Sequence, residues 1–346
     1  HAVQDDPLSA TFWMNLAGAY EANGDLNAAQ NSFERARSVY PLSAEVAWNY
    51  GNFLLRQEKE AEGYAEIRHA VQSDPRLLTL AISRVWRSSH DVNILLDQVL
   101  PVDQDAYVQA LTFFASIRQP DAALTVWRRI LALGKILALP RTFPFLDELI
   151  QDDRSTDAKQ VWIEALTAAG LPHDEPLNHS LVWNGDFSRD FDNGGLGWRW
   201  KPYLGGAIDF DSAPPSYGVR AVRLQFNGGT NLTLAQPVQY VPVEPGVTYD
   251  FHAYMRTEDI TTESGIRFSI IDPNHDGAID QHTENMTGSH GWTPVELRFT
   301  SLPSTHFLLI RVMRDRSRLF DNKLSGWVWI ADVSLVPAAT EGDGKR

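Results

Sequence analysis

The stretch WMNLAGAYEANGDLNAAQNSFERARSVYP, residues 13–41, decides the fold of the first half of the chain. Trp13, Leu16 and Tyr20 recur at helical spacing. Asn23-Gly24-Asp25 then breaks the pattern, and Ala29, Phe33 and Ala36 resume it until Pro41 ends it. Two antiparallel helices joined by a tight turn satisfy this order. Small residues such as Ala29 let the helices approach, and large ones such as Tyr20 and Phe33 fill the gap. One period of 34 residues further on, Ala47, Tyr50, Leu54, Gly63, Ile67, Ala70 and Pro75 fill the equivalent places.

These two units resemble the tetratricopeptide repeat family. The match loosens further on. Residues 78–101 read as two helices parted near Ser88-Ser89-His90, with Asp91 as a cap. Residues 104–134 carry Tyr107, Ala110, Phe114, Ala123 and Trp127 around a Gln119-Pro120-Asp121 turn, and 139–170 carry Phe145, Leu149, Ala158, Trp162 and Ala165. About five helical hairpins result, above the three or so a self-supporting stack needs. The resemblance implies a concave face lined by the first helix of each repeat, with Met14 in the first unit and Glu45, Trp48, Asn52 and Arg56 in the second as protein-contact candidates. Lys and Arg are scarce there, which disfavours the basic peptide-tail clamp of some family members.

After Gly170 the chain changes character. Leu171-Pro172-His173-Asp174-Glu175-Pro176 reads as a linker, because prolines and their preceding residues leave helical space. Beyond it, short segments alternate strictly: Val222, Leu224 and Phe226 against Arg223 and Gln225; Tyr249, Phe251, Ala253 and Met255 against Asp250, His252, Tyr254 and Arg256. Several such antiparallel strands argue for a two-sheet sandwich. The expected fold class is therefore a multidomain α and β chain. Residues 1–170 form an all-α repeat domain, 171–179 a linker, 180–338 an all-β sandwich and 339–346 a tail.

Asn184-Gly185-Asp186-Phe187, Gly197-Trp198, Pro245-Gly246-Val247-Thr248-Tyr249, Trp292-Thr293-Pro294-Val295 and Trp329-Ile330-Ala331-Asp332-Val333 follow one another in the order of a galactose-binding-like jelly roll, and together resemble carbohydrate-binding module families four and nine. The resemblance covers nearly all of 180–337. It implies a sugar on the concave sheet or at loop tips. A pyranose face is apolar C–H surface and stacks on rings, while its hydroxyl rim needs donors and acceptors. The polar strand face offers His252, Tyr254 and Arg256. Neighbouring strands offer Arg223, Gln225, Arg267 and Arg311, and Trp200, Tyr203 and Trp327 offer platforms. This many arginines suits an acidic or heavily hydroxylated glycan, unless they pair with acidic neighbours. Trp198 reads as a core plug.

Asp272, Asn274, Asp276 and Asp280, with Gly277 at the bend, imitate the start of a calcium loop, but Thr283 stands where its closing Glu belongs. The resemblance implies a second, structural calcium held partly by Asp332. Ser188 replaces the acid usual after the opening Phe.

Composition narrows the function. Net charge is −14, against nucleic acid as a partner. The absence of cysteine excludes disulfides and thiolate sites. No apolar run is long enough to cross a bilayer, so a spanning membrane anchor would need a segment outside this sequence. No serine elbow, HExxH, Walker loop or dinucleotide fingerprint occurs. The expectation is a non-catalytic, extracytoplasmic bacterial protein that binds polysaccharide with its sandwich and a protein with its repeats. The alternative is an interaction scaffold whose jelly roll is purely structural.

Overall fold

A computed structural model describes residues 2–171 and 180–339, so the expected linker and tail lie outside the described residues apart from Leu171 and Ala339. The chain divides into two compact units, 1–135 and 136–346.

Among the described residues of the first unit, α1 Ala2–Asp5 precedes paired helices α2 Ala10–Ala22 with α3 Leu26–Val39, and α4 Ala44–Arg56 with α5 Glu60–Ser73. Next come α6 Leu78–Ser89, then α7 Val92–Ile94 running into a π turn at Leu95–Val99, and finally α8 Gln104–Ser116 with α9 Pro120–Ala132. Starts are set by side chains that accept the first free amides: Ser9 from Phe12, Asp25 from Ala28, Ser43 from Val46, and Asp103 from Asp105 and Ala106. The sequence places the turns correctly: Gly24 has φ 82°, and Asp91 caps as expected. Ala29 and Phe33 pack on Tyr50, Phe53 and Leu54 of the next repeat, with the Phe33 and Tyr50 rings stacked at 5.5 Å. Gly63 stands where the first unit has Ala29 because α4 and α5 meet there. A Cβ on Gly63 would lie 2.8 Å from Leu55 Cδ2, and one on Gly51 would lie 3.0 Å from the Gly63 carbonyl.

The second unit joins a fifth hairpin, α10 Phe143–Gln151 and α11 Ser155–Ala168, to a sandwich of strands β1 Gly206–Ser212, β2 Arg220–Asn227, β3 Leu234–Pro242, β4 Thr248–Ile260, β5 Arg267–Ile271, β6 Asp280–His282, β7 Gly288–Thr300, β8 Phe307–Arg314 and β9 Ser325–Pro337. The strands pair antiparallel in a five-stranded sheet, β1-β2-β9-β4-β7, and a four-stranded one, β3-β8-β5-β6. The expected helical-repeat and jelly-roll classes are both present. Val222, Leu224, Phe251, Met255, Phe268, Ile310, Val328 and Ile330 fill the space between the sheets, and Trp198 is buried among them as a plug. The Pro245-Gly246 turn sets Tyr249, whose hydroxyl accepts the Glu244 amide at 2.8 Å.

The hairpin packs on the sandwich. Phe143 and Trp162 lie against Gly194 and Gly195, where any side chain would collide with the rings. Trp162 meets Trp183 edge-on at 5.9 Å, and Arg199 bonds Asp147 while lying over Tyr240 of β3. At the α10–α11 turn Asp153 accepts from Asn274 at 2.8 Å and lies 3.1 Å from His306.

Candidate functional site: the outer face of the five-stranded sheet

Strand register assembles the site. Ile208, Leu224, Val328 and Met255 point into the core, so their neighbours point outward. One outward row runs Ala207, Gln225, Trp327, Glu258 across β1, β2, β9 and β4. The next runs Asp209, Arg223, Trp329, Arg256. A third runs Asp211, Ala221, Ala331, Tyr254, and reaches Pro294 on β7. A fourth pairs His252 with Glu296.

The charges in these rows are matched within the protein. Arg223 grips Asp209 through Nε at 2.8 Å and Nη2 at 2.5 Å, and approaches Asp211 at 3.4 Å. Arg256 bonds Glu258 at 2.7 Å and lies 4.3 Å over the Trp329 ring. Trp329 donates Nε1–H to Asp211 at 3.0 Å. That bond, the Ser212 amide and then Arg223 and Arg256 hold the Asp211 carboxyl below the usual range, against a smaller opposing effect of burial. Trp329 is covered, at 8% exposure, whereas Trp327 beside it is half-buried. Ala221 and Ala331 leave a dent. Tyr217, from the loop between β1 and β2, sits over it, 4.0 Å from the Tyr254 ring and 5.7 Å from Trp292.

Six of the ten glycan candidates therefore come together: His252, Tyr254, Arg256, Arg223, Gln225 and Trp327. The other four do not. Arg267 and Arg311 stand on β5 and β8 of the other sheet, bonded to Asp315 and Ser269. Trp200 follows Arg199, which bridges to Val238 at the β3 edge, so it too belongs to the other sheet. Alternation shows which side of a strand a residue takes, but not which sheet the strand joins. Tyr203 packs on the core, and burial pushes its hydroxyl up to about 12. Trp329, Asp209, Asp211, Tyr217 and Trp292 were missed. Trp329 carries a signal in the sequence, since Trp327-Val328-Trp329-Ile330 alternates as cleanly as 222–226 and 249–256.

In the repeats, Met14 packs beside the first core cluster. Asn52 bonds back to the Trp48 carbonyl, Trp48 is half-buried and Glu45 exposed. Arg56 forms a two-point ion pair with Glu21 of the preceding repeat, at 2.7 and 2.9 Å.

The calcium-like loop is closed by its own donors. The buried Asp272 carboxylate accepts from the Asn274 and His275 amides at 2.9 and 3.0 Å and from the Thr305 hydroxyl at 2.7 Å. Asn274 turns away to Asp153, and Asp280 pairs with His282, while Asp276 is exposed. Asp332 stands in a bulge of β9 with φ 47°. Near it, Asp186 accepts the Ser188 amide and Ser188 donates its hydroxyl to the Asn184 side-chain oxygen. Among the described residues no three His, Asp or Glu side chains converge as a metal site.

No family profile and no curated protein matches the chain. Solved structures of similar fold include a family 4 carbohydrate-binding module (17% identity, 45% of this chain and 99% of the module, TM-score 0.32). Another is the enzymatically active domain of tailspike protein 4 of bacteriophage CBA120 (15% identity, 46% of this chain, TM-score 0.34). The chain spans only 21% of that tailspike's length. The helical part is similar to YrrB, a TPR protein with a peptide-binding site (14% identity, 49% of this chain and 91% of YrrB, TM-score 0.27).

Proposed function

We propose that this protein is a non-catalytic glycan-binding protein whose repeats hold a protein partner. The observation that carries the reading is Trp327, part-exposed on the outward face beside the row Arg223, Trp329, Arg256, whose polar groups are fixed donors and acceptors. A sugar face lies on the ring, and its hydroxyls meet carboxylate and guanidinium groups already held in place. Each arginine has a carboxylate partner, so the face offers little net attraction to an acidic glycan and suits an uncharged, hydroxyl-rich one. Calorimetric titration with neutral and acidic oligosaccharides tests this. Binding of a neutral oligosaccharide, weakened about tenfold or more by Trp327→Ala, is the expected result; silence across both panels rejects it. In the same reading the protein works outside the bacterial cytoplasm, near a machine that assembles, exports or degrades polysaccharide. Fractionation of the native host tests that placement.

One observation favours a scaffold reading instead. Tyr217 already fills the Ala221–Ala331 dent, as in a face closed by its own loop. If Tyr217→Ala leaves the protein folded and still without affinity for any glycan, the scaffold reading stands.

A further inference from the structure

The end of the sandwich where β8 passes to β9 carries the inference. The loop 315–324 presents Leu319 and Phe320 to solvent, at 57% and 105% exposure, and Leu204 on the neighbouring loop is 84% exposed. Leu204 shares that end because the Gly205 carbonyl accepts from Asn227, the last residue of β2, and Gly228 in turn bonds Leu324. Arg316, Arg318 and Lys323 surround the apolar tip, all exposed. Of the nearby acids, Asp315 pairs with Arg267, and Glu263, which accepts from Ser317, is countered by the buried Arg314 charge, which leaves Asp321 as the carboxylate at the tip.

The loop is braced from below. Arg314 is fully buried and donates to the carbonyls of Ser264 and Leu232 and to the Thr262 hydroxyl. Asn231 accepts the Ser317 amide at 3.0 Å and returns a bond to its carbonyl at 2.9 Å, and Thr261 bonds the Lys323 carbonyl. A buried guanidinium and several side-chain bonds therefore hold apolar side chains out in water, a costly arrangement unless something receives them. The tip projects into solvent, with Phe320 fully exposed, and is basic on a chain of net charge −14. A projecting apolar knob suits a deformable receiver, and its cations suit anionic headgroups.

We propose that this end of the sandwich seats in an anionic lipid surface, Leu319 and Phe320 entering the headgroup boundary while Arg316, Arg318 and Lys323 meet the phosphates. The proposal is independent of the glycan reading, because the tip lies at the end of the sandwich and not on the sheet face. It is tested by co-sedimentation of the whole protein with vesicles of phosphatidylcholine alone and with vesicles in which phosphatidylglycerol replaces part of it. The expected result is binding to the anionic vesicles only, lost about tenfold or more with Leu319→Ser and Phe320→Ser together. Arg316→Gln and Arg318→Gln should each weaken it about fivefold, and salt should weaken it further. Because these side chains lie in solvent, the variants should melt like the parent and bind glycan equally. Should the apolar pair fail to fold, the two arginine variants answer the same question through charge. No sedimentation, equal sedimentation with both vesicle types, or binding unmoved by the substitutions overturns the proposal. So does a protein partner that is lost with Leu319 and Phe320 while anionic vesicles are never bound.

Discussion

Asp211 shows what a single side chain does in the face. It receives the Trp329 indole N–H, lies beside Arg223, and so fixes the ring on which Arg256 rests. Its carboxyl is held below the usual range, first by that indole bond. A depressed acid stabilises the folded face above its unfolded value and stops doing so as pH falls through the folded one. The Asp211 contribution to glycan affinity should therefore persist as pH falls into the ordinary carboxylate range and be lost below it, as titrations of the parent and Asp211→Asn at stepped pH would show. A drop already near neutrality would point away from Asp211. Asp272 is a second carboxylate that organises its surroundings through hydrogen bonds. Its carboxylate is saturated by two amides and a hydroxyl, so melting curves with calcium and with EDTA should coincide; a higher melting temperature with calcium would restore the metal loop.

Among the elements, β9 sets core and outward side chains side by side within four residues. Val328 and Ile330 face the core while Trp327 and Trp329 face out. Ile330→Ala should cost about 3 kcal/mol of stability, measured by chemical denaturation. Trp327→Ala should cost far less stability while reducing glycan affinity. Beyond Ala331 the strand changes phase: Val333 and Leu335 enter the core, on the opposite parity, after the bulge at Asp332. That slip is written in the sequence as a shift of apolar positions from even to odd numbers. The helices depend on their caps in a similar local way. Asp103 closes two amides of α8, and Asp103→Ala should lower stability by about 1 kcal/mol.

For the molecule as a whole, the informative fact is the company kept by the last hairpin. By sequence, α10 and α11 are the fifth repeat; by compactness they belong with the sandwich. Phe307, on the outer side of β8, is fully buried, and its neighbour His306 meets Asp153 of the α10–α11 turn. A fragment of residues 136–339 should fold and melt cooperatively. One of residues 180–339, with the hairpin removed, should melt lower and associate through the uncovered four-stranded sheet, read by calorimetry and light scattering. Equal melting of the two would show the hairpin to be a bystander.

What residue order alone determined was everything that depends on near neighbours along the chain. The 34-residue repeat of Ala29 and Gly63 fixed the helical pairs, and alternation in 222–226 and 249–256 fixed which side chains are core and which are free. The tertiary structure decided which free side chains share a face. Arg223 and Arg256 meet across β9, whereas Arg267 and Arg311, equally outward and equally charged, sit on the other sheet. The reason is that alternation is a property of one strand, while neighbourhood across strands depends on sheet order, which is set by the closing of long loops and the packing of two apolar faces.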